Sequence, residues 1–230
     1  MQSNETIERF LDRERPPFNY ERQLFNDHFC WVLPALREDT PTPYELEIQP
    51  SSKCNLRCEW CFGTALTCGK LPDKLGSEEM RTIAGRVADL SDEEFGIETV
   101  KFCGTTGEPL MNPHTAHTIS MFKNLGKRVI LFTNGVLLDV EDSAGIPNLD
   151  YVALGDRLNV SLDCGSEETF QAIKKAKGFG RIVKNLERIV RRKTELGTDL
   201  DIRLSYVIST KNQAEIYQTA KLAQRLGLTK

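Results

Sequence analysis

The chain has 230 residues, of which 40% are hydrophobic and 27% are charged, so its composition suits one large folded domain with at most a modest extension. Its 30 basic and 33 acidic residues give a formal net charge of −3 without a long block of one sign, which argues against a dedicated nucleic-acid or membrane-surface binder. The apolar runs are too short to span a bilayer, and the amino terminus lacks the features of a secretory signal, so we expect a cytoplasmic protein.

The first part of the chain differs from the rest. Residues 1–43 are expected to form an N-terminal extension or linker, with helical segments at 4–14 and 20–30 and prolines that interrupt the chain after them. From residue 44 onward, short apolar runs typical of strands alternate with amphipathic runs typical of helices. We therefore assign residues 44–230 to a single core domain.

The core domain shows repeated strand–helix units. Strands are predicted at 44–49, 98–103, 128–133, 158–162 and 201–208. Helices are predicted at 77–90, 113–125 and 213–226, with a longer helical region at 168–196, while the irregular stretch 136–157 gives no pattern from which a helix can be placed. This alternation predicts an α/β fold with a parallel sheet, and right-handed crossovers curl such a sheet toward a partial (β/α) TIM-type barrel.

Three cysteines lie close together in the run Cys54-x3-Cys58-x2-Cys61, directly after the first predicted strand. The chain has seven cysteines, an odd number that does not suit a disulfide framework. Three thiolates on one loop can bind three irons of a [4Fe-4S] cluster and leave the fourth iron open to a small molecule. A structural zinc site is the alternative, and it would take its fourth ligand from Cys68 or from a histidine.

The cysteine run resembles the signature of the radical S-adenosylmethionine (radical SAM) superfamily, in which an aromatic residue precedes the last cysteine. The resemblance implies that Cys54, Cys58 and Cys61 hold a [4Fe-4S] cluster and that the methionine part of SAM chelates the fourth iron. Trp60 stands at the aromatic position, so it and the neighbouring Phe62 are expected at the cofactor site. Core packing is the alternative role for Trp60.

A second motif follows the second predicted strand. The run 102–109 reads Phe-Cys-Gly-Thr-Thr-Gly-Glu-Pro and resembles the Gly-Gly-Glu-Pro motif of the superfamily, with Thr106 in place of the first glycine. The resemblance implies that Gly107 and Glu108 lie where the methionine ammonium group of SAM is bound. Such a glycine- and proline-containing turn is otherwise an ordinary strand-to-helix loop.

Polar residues also follow the next two predicted strands. The runs 133–135 and 161–163 resemble strand-end positions of the superfamily, so Asn134, Ser161 and Asp163 are expected to reach the ribose and the carboxylate of SAM. In parallel βα barrels, active-site groups come from the carboxyl ends of the strands. Short polar residues after a strand are otherwise turn formers. Arg203 is a candidate partner for the cofactor carboxylate, with Lys177 and Arg181 as alternatives.

The other cysteines are expected to be dispensable for the cluster, because they lack grouped spacing and cysteine is commonly a small buried residue. These are Cys30, Cys68, Cys103 and Cys164.

The resemblance, which covers residues 44–228, implies reductive cleavage of SAM to methionine and a 5′-deoxyadenosyl radical that abstracts hydrogen from a substrate. The implied cofactors are a [4Fe-4S] cluster and SAM, and the implied partner is a flavodoxin- or ferredoxin-like electron donor. The substrate stays open between a peptide and a small metabolite. A non-catalytic iron–sulfur or structural zinc protein is the alternative function. Because the superfamily barrel usually has about six βα units and five are visible here, we expect the core domain to continue beyond Lys230.

Overall fold

The computed structural model describes residues 42–61, 63, 73–90 and 96–228, together with Arg37. The chain divides between Pro41 and Thr42, and every element described below belongs to the second of the two units. The predicted helices at 4–14 and 20–30 lie outside the described residues, and the predicted boundary at residues 43 and 44 stays a prediction. No helix in the described ranges is both long and apolar enough to cross a membrane.

The centre of the domain is a parallel sheet of five strands, which confirms the predicted α/β class. The strands are β1 Glu45–Ile48, β2 Thr99–Phe102, β3 Arg128–Thr133, β4 Arg157–Ser161 and β5 Asp201–Ser205. They lie in the sheet in chain order, and every neighbouring pair is parallel. Within the described residues β1 and β5 each pair on one side only, so the sheet is an open, partial barrel.

Helices connect the strands. They are α1 Ser77–Asp89, α2 Thr115–Asn124, α3 Asn148–Val152, α4 Glu167–Lys174, α5 Phe179–Leu196 and α6 Ile216–Arg225, with short 3₁₀ turns at Pro109–Met111 and Gln213–Glu215. The helix α3 was not predicted. The helical region predicted at 168–196 is helical but is divided into two helices, α4 and α5. Lys175 adopts a left-handed conformation (φ 56°) that ends α4, and α5 begins four residues later.

The strand predicted at 201–208 is shorter than expected. The strand β5 ends at Ser205, and Val207 leaves the sheet to donate its backbone N–H to the Asp163 carboxylate at 2.6 Å. The next residue, Ile208, is exposed. The apolar residues 206–208 favour a longer strand in the sequence. The strand ends earlier because the Val207 N–H is bonded to a side chain outside the sheet and not to a neighbouring strand.

The two faces of the sheet are chemically different. On the convex face, residues such as Phe102, Leu131 and Val160 are buried beneath the helices, and the Phe102 ring meets the Phe122 ring of α2 with centroids 5.9 Å apart. Since side chains alternate along a strand, the intervening residues point to the concave face. The concave face is largely polar, with Lys101, Asn159 and Arg203 among its residues.

Candidate functional site

The cysteine loop, residues 49–61, leaves the carboxyl end of β1 and carries all three cysteines of the predicted cluster motif. Cys54 is exposed, while Cys58 and Cys61 are half-buried. A turn closes the last part of the loop, because the Cys61 backbone N–H donates to the Cys58 carbonyl at 3.1 Å. The loop therefore places the three thiols together at the carboxyl edge of the sheet.

One half of the cysteine loop is fixed to the end of α4. The Arg57 N–H donates to the Lys174 carbonyl at 3.1 Å, and the Glu59 N–H donates to the Ile173 carbonyl at 2.9 Å. These carbonyls belong to the last turn of a helix, where intrahelical donors are missing. The unpaired end of α4 thus becomes the support for Cys58 and its neighbours.

The other half of the cysteine loop is packed against the second motif. The Glu108 N–H donates to the Lys53 carbonyl at 2.8 Å. A side chain at Gly107 would place its Cβ 2.2 Å from the Ser51 carbonyl oxygen, a distance that no real contact allows. Glycine is required here because the two backbones approach closely, and this approach holds the second motif beside Cys54.

The thiols have raised pKa values. Although Cys54 is exposed as a residue, the surrounding protein removes water from its sulfur and raises its pKa to about 11, while the hydrogen bond from the Leu56 N–H to the sulfur (3.4 Å) lowers it. Burial also raises the pKa of Cys58, while the cationic Lys174 side chain opposes the shift. Because the neighbouring thiols and Glu108 repel a thiolate at Cys54, a bound cation is what would stabilise the deprotonated loop.

Two kinds of metal site differ in what they ask of the three cysteines. Within the described ranges, no group of three His, Cys, Asp or Glu side chains is already arranged to hold one metal ion. A zinc ion needs four ligands around one point, whereas a cubane takes three thiolates on three separate irons. The cysteine loop supplies three thiols.

Glu108 is buried, with 2% of its surface exposed, and it joins the ends of β2 and β3. One carboxylate oxygen accepts hydrogen bonds from the Leu110 N–H (3.1 Å) and the Thr133 hydroxyl (2.5 Å), and the other accepts from the Asn134 N–H (2.8 Å). Burial raises the pKa of Glu108 above its ordinary value, although these hydrogen bonds lower it. No cation in the described part of the chain pairs with this carboxylate.

Asn134 links the end of β3 to the cysteine loop. Its amide nitrogen donates to the Asn55 side-chain oxygen at 2.8 Å and lies 3.9 Å from the Cys54 sulfur. Its side-chain oxygen accepts from the Val136 N–H at 3.0 Å. Glu108, Asn134 and Cys54 thus form one continuous polar group.

Asp163 has a different environment. Its carboxylate forms a buried ion pair with Lys174, both side chains being 3% exposed, and also accepts the Val207 N–H. The Lys174 nitrogen lies 6.0 Å from the centre of the Trp60 ring, which packs against the core. Both oxygens of Asp163 are therefore engaged within the protein, and Trp60 has the packing role given above as its alternative.

The remaining predicted residues lie apart from this polar group. Ser161 ends β4, is half-buried, and makes no side-chain hydrogen bond within the described residues. Arg203 is bonded to Asp201 on its own strand. Arg181 is paired with a surface carboxylate on the helical side, and Lys177 is exposed.

Phe62, Cys30 and Cys68 lie outside the described residues, so their predicted roles stay predictions. Cys103 is half-buried at the end of β2, and burial together with Glu47 raises its pKa to about 12. Cys164 is fully buried in the core.

Two residues of the site were not predicted from the sequence. Thr133 lies in the strand-end run 133–135 but carries no predicted role of its own, and Lys174 lies in the helical region predicted at 168–196 without being singled out. A signal for Lys174 was present, because it follows Phe170 and Ile173 at the spacing of one helix face, and all three are buried. A lysine on an apolar face indicates a buried partner.

An open parallel sheet with a three-thiol loop at its carboxyl edge defines a class of cofactor-dependent enzyme. The sequence model of the family described as "Radical SAM superfamily" matches residues 48–228. The chain belongs to this superfamily. Membership makes it an enzyme and implies SAM and an iron–sulfur cluster as cofactors, and enzymes of this superfamily generally need an external reductant.

The chain resembles part of longer curated proteins. It is 30% identical over 188 residues to a Saccharolobus islandicus protein named "Probable GTP 3′,8-cyclase", which covers 80% of this chain and 54% of that relative. It is 29% identical over 214 residues to the human "Molybdenum cofactor biosynthesis protein 1", which covers 90% of this chain and 31% of that protein. The chain thus spans about half or less of these relatives.

Solved structures share the fold. Streptococcus suis SuiB bound to S-adenosylmethionine superposes with a TM-score of 0.64 over 97% of this chain and 48% of that one, at 18% identity. The structure titled "Native anSMEcpe with bound AdoMet" superposes with a TM-score of 0.53 over 81% of this chain and 50% of that one, also at 18% identity.

Proposed function

We propose that this chain is the core of a radical SAM enzyme in which Cys54, Cys58 and Cys61 hold a [4Fe-4S] cluster and the adjoining strand ends bind SAM. When bound, the reduced cluster supplies the electron that splits SAM into methionine and a 5′-deoxyadenosyl radical, which abstracts hydrogen from the substrate. The protein positions the two cofactors and excludes water. Superfamily membership favours this function over the non-catalytic iron–sulfur or zinc alternative.

The observation that carries the proposal is the charge at Glu108. Its carboxylate is buried beside Cys54, and its three donors are neutral groups. A buried carboxylate without a cation is unfavourable, and a cationic ligand relieves this cost. We assign this position to the ammonium group of the methionine part of SAM, next to the thiols that hold the cluster.

The other predicted residues receive graded roles in the proposal. Asn134 orients the Cys54 side of the loop, and the free Ser161 hydroxyl is available to the cofactor. Gly107 permits the close approach of the two motifs. Asp163 acts on the cofactor site through Lys174. The aromatic residues Trp60 and Phe62 contact the adenine of SAM in this proposal. Trp60 can do so while it packs against the core, because part of its side chain is exposed.

The electron donor in this proposal is a flavodoxin- or ferredoxin-like protein, and the protein functions in the cytoplasm, where free thiols persist. The substrate belongs to one of two classes that the names of similar proteins illustrate. One similar structure is of SuiB bound to a precursor peptide, and one relative is named for a reaction of GTP.

The proposal is tested by anaerobic reconstitution with iron and sulfide. We expect about four irons per chain and formation of 5′-deoxyadenosine from SAM under a strong reductant. Cys54→Ala, Cys58→Ala and Cys61→Ala should each lose the cluster and the cleavage. Cys103→Ala is the matched control and should keep both. A Cys54→Ala protein with full iron content and SAM cleavage would refute the proposal, and one equivalent of zinc in the native protein would favour the structural alternative.

A further inference from the structure

Charged side chains lie around Cys58 at the surface of the cysteine loop. Arg57 and Glu59 stand on either side of this cysteine, and both are exposed. Lys175, the first residue after α4, and Lys211, in the loop between β5 and α6, are also exposed. We call these four charged residues the charged patch. A cysteine proposed to hold the cluster therefore lies between two members of the patch.

Glu59 joins the three chain segments that form the charged patch. The Lys211 ammonium donates to both of its carboxylate oxygens, at 2.8 and 2.6 Å, and the Lys175 ammonium lies 3.4 Å from one of them. One carboxylate is shared between two cations, so it neutralises only one of the two charges. About half of each lysine side chain stays exposed to solvent, 49% in both cases.

Arg57 adds a third cation to the patch. Its backbone N–H is bonded to the Lys174 carbonyl, whereas its guanidinium makes no hydrogen bond or ion pair to any residue that the structure describes. Three cations and one anion give the patch a net charge of +2, although the whole chain carries −3. A positive region on a protein of negative net charge attracts an acidic partner in one orientation and repels it in others.

Two apolar side chains accompany Lys211 on the loop between β5 and α6. Val207 and Ile208, which we call the apolar pair, are 52% and 64% exposed. The loop is closed on itself by the buried Asn212 side chain, which donates to the Val207 carbonyl at 2.8 Å and accepts the Ser209 N–H at 2.7 Å. The apolar pair is therefore held at the surface by a fixed loop. Exposed apolar residues beside charged ones are typical of protein interaction surfaces.

We propose that the charged patch and the apolar pair together form the docking surface for the electron donor, and that this donor is an acidic, flavodoxin-like protein. The inference rests on the proposed function, in which one electron leaves the reduced flavin of the donor and enters the oxidised cluster. Electron transfer requires the two redox centres to lie close together, and Cys58 lies within the patch.

The two parts of the surface match two parts of such a donor. Acidic side chains of the donor pair with the three cations of the charged patch, which raises the rate of productive encounter. The dimethylbenzene edge of a flavin is apolar and meets the apolar pair. This second contact favours the flavodoxin-like class over the ferredoxin-like class, whose redox centre is not an apolar ring.

The first experiment measures binding of an oxidised bacterial flavodoxin of negative net charge to the reconstituted chain by calorimetry. Affinity should fall as salt rises from about 0.05 M to about 0.5 M, because salt screens exposed charges. At low salt, Lys175→Gln and Lys211→Gln should each weaken binding about two- to fivefold, and the double variant about five- to twentyfold. Lys184→Gln, at an exposed position of α5, is the matched control and should bind like the native protein. Unchanged affinity of the double variant, or an equal loss in the control, would overturn the proposal.

Two further variants test the sign of the charge effect and the apolar contact. Glu59→Gln keeps the backbone N–H that bonds the Ile173 carbonyl and removes the one anion of the patch, so flavodoxin should bind about two- to fivefold more tightly. Ile208→Ser should weaken binding about three- to tenfold at both salt concentrations, because salt does not screen apolar burial. Weaker binding by the Glu59→Gln protein would refute docking by charge, and unchanged binding by the Ile208→Ser protein would refute the flavin contact.

Reduction of the cluster separates this inference from the proposed function. Photoreduced 5-deazariboflavin, an uncharged small molecule, should reduce the native protein and the Lys175→Gln, Lys211→Gln double variant at the same rate. Reduced flavodoxin at low concentration should reduce the double variant about five- to twentyfold more slowly. A double variant that both reductants reduce equally slowly would overturn the docking role. A native chain that holds no cluster, or that deazariboflavin does not reduce, would refute the proposed function, while the binding measurements decide the docking surface independently.

Discussion

Two buried carboxylates flank the cysteine loop, and only one of them is paired with a cation. Glu108 follows β2 and Asp163 follows β4, and each is 2% exposed. Asp163 is paired with the buried cation Lys174, so the pair is electrically neutral within the protein. Glu108 is surrounded by a hydroxyl and two backbone N–H groups, none of which carries a charge.

Under the proposed function, this difference separates a carboxylate that supports the fold from one that binds a ligand. The Asp163–Lys174 pair supports the end of α4, whose carbonyls hold Arg57 and Glu59 of the cysteine loop. Glu108 instead has no cationic partner among the described residues, and burial raises its pKa. Buried carboxyl groups without a cation are typical of functional sites, where a bound ligand can offset the free-energy cost of burying the group.

The largest expected effect comes from breaking the balanced pair. Lys174→Met keeps the length of the side chain but leaves the Asp163 carboxylate buried without its cation. We expect the free energy of unfolding to fall by about 3–5 kcal/mol, measured by urea denaturation monitored by circular dichroism.

Lys175→Met is the control for this change, because Lys175 is the next residue in the chain and lies exposed. Its unfolding midpoint should match that of the native protein. The double variant Lys174→Met with Asp163→Asn should recover part of the lost stability, since it removes the stranded charge. If Lys174→Met were as stable as the native protein, the ion pair would not support the loop.

The sheet was largely predictable, and the reasons are local. The strands β1, β2 and β4 alternate apolar with polar residues, β3 is a mainly apolar run, and all four lie within one residue of the predicted positions. The end of the helical region at residue 196 was also predicted, since Gly197 follows it, and this glycine adopts the left-handed conformation (φ 65°) that ends α5. The break between α4 and α5 was missed, since Lys175 adopts the left-handed conformation without being glycine; the available signal was Gly178, directly before α5.

The site was predictable only in part. The spacing of the cysteines and of the second motif marked Cys54, Cys58, Cys61 and Glu108 as one group, because consecutive parallel strands end at the same edge. Pairing was not predictable. The sequence places Asp163 beside Ser161, whereas its carboxylate bonds Lys174, eleven residues later, and a backbone N–H beyond β5.

The second prediction tests the uncompensated carboxylate. Glu108→Gln removes the charge while nearly conserving shape, so we expect SAM binding to weaken about ten- to a hundredfold with the iron content retained. Equilibrium dialysis with radiolabelled SAM measures this. The matched control is Glu98→Gln, an exposed position just before β2, which should bind SAM normally.

The comparison would be reversed by a specific result. If Asp163→Asn weakened SAM binding more than Glu108→Gln did, the positive charge of SAM would be bound by Asp163, at the end of β4. The assignment of Glu108 to the cofactor ammonium would then be wrong.

The smallest expected effect concerns one hydrogen bond to Glu108. Thr133→Val removes the hydroxyl that donates to the carboxylate at 2.5 Å and that accepts the Gly135 N–H at 3.1 Å, with almost no change in shape. We expect a loss of about 1–2 kcal/mol in the free energy of unfolding, because the carboxylate keeps its two backbone donors.

Thr118→Val is the control for this change. Its equally buried hydroxyl donates only to a carbonyl one turn earlier in α2, a bond that contributes little to a helix, so the cost should stay below about 0.5 kcal/mol. Bound SAM should narrow the difference between the two variants, since a cation beside Glu108 takes over the role of the lost donor. If Thr133→Val and Thr118→Val lowered the free energy of unfolding equally, with and without SAM, the hydrogen bond to Glu108 would be no more important than one to a backbone carbonyl.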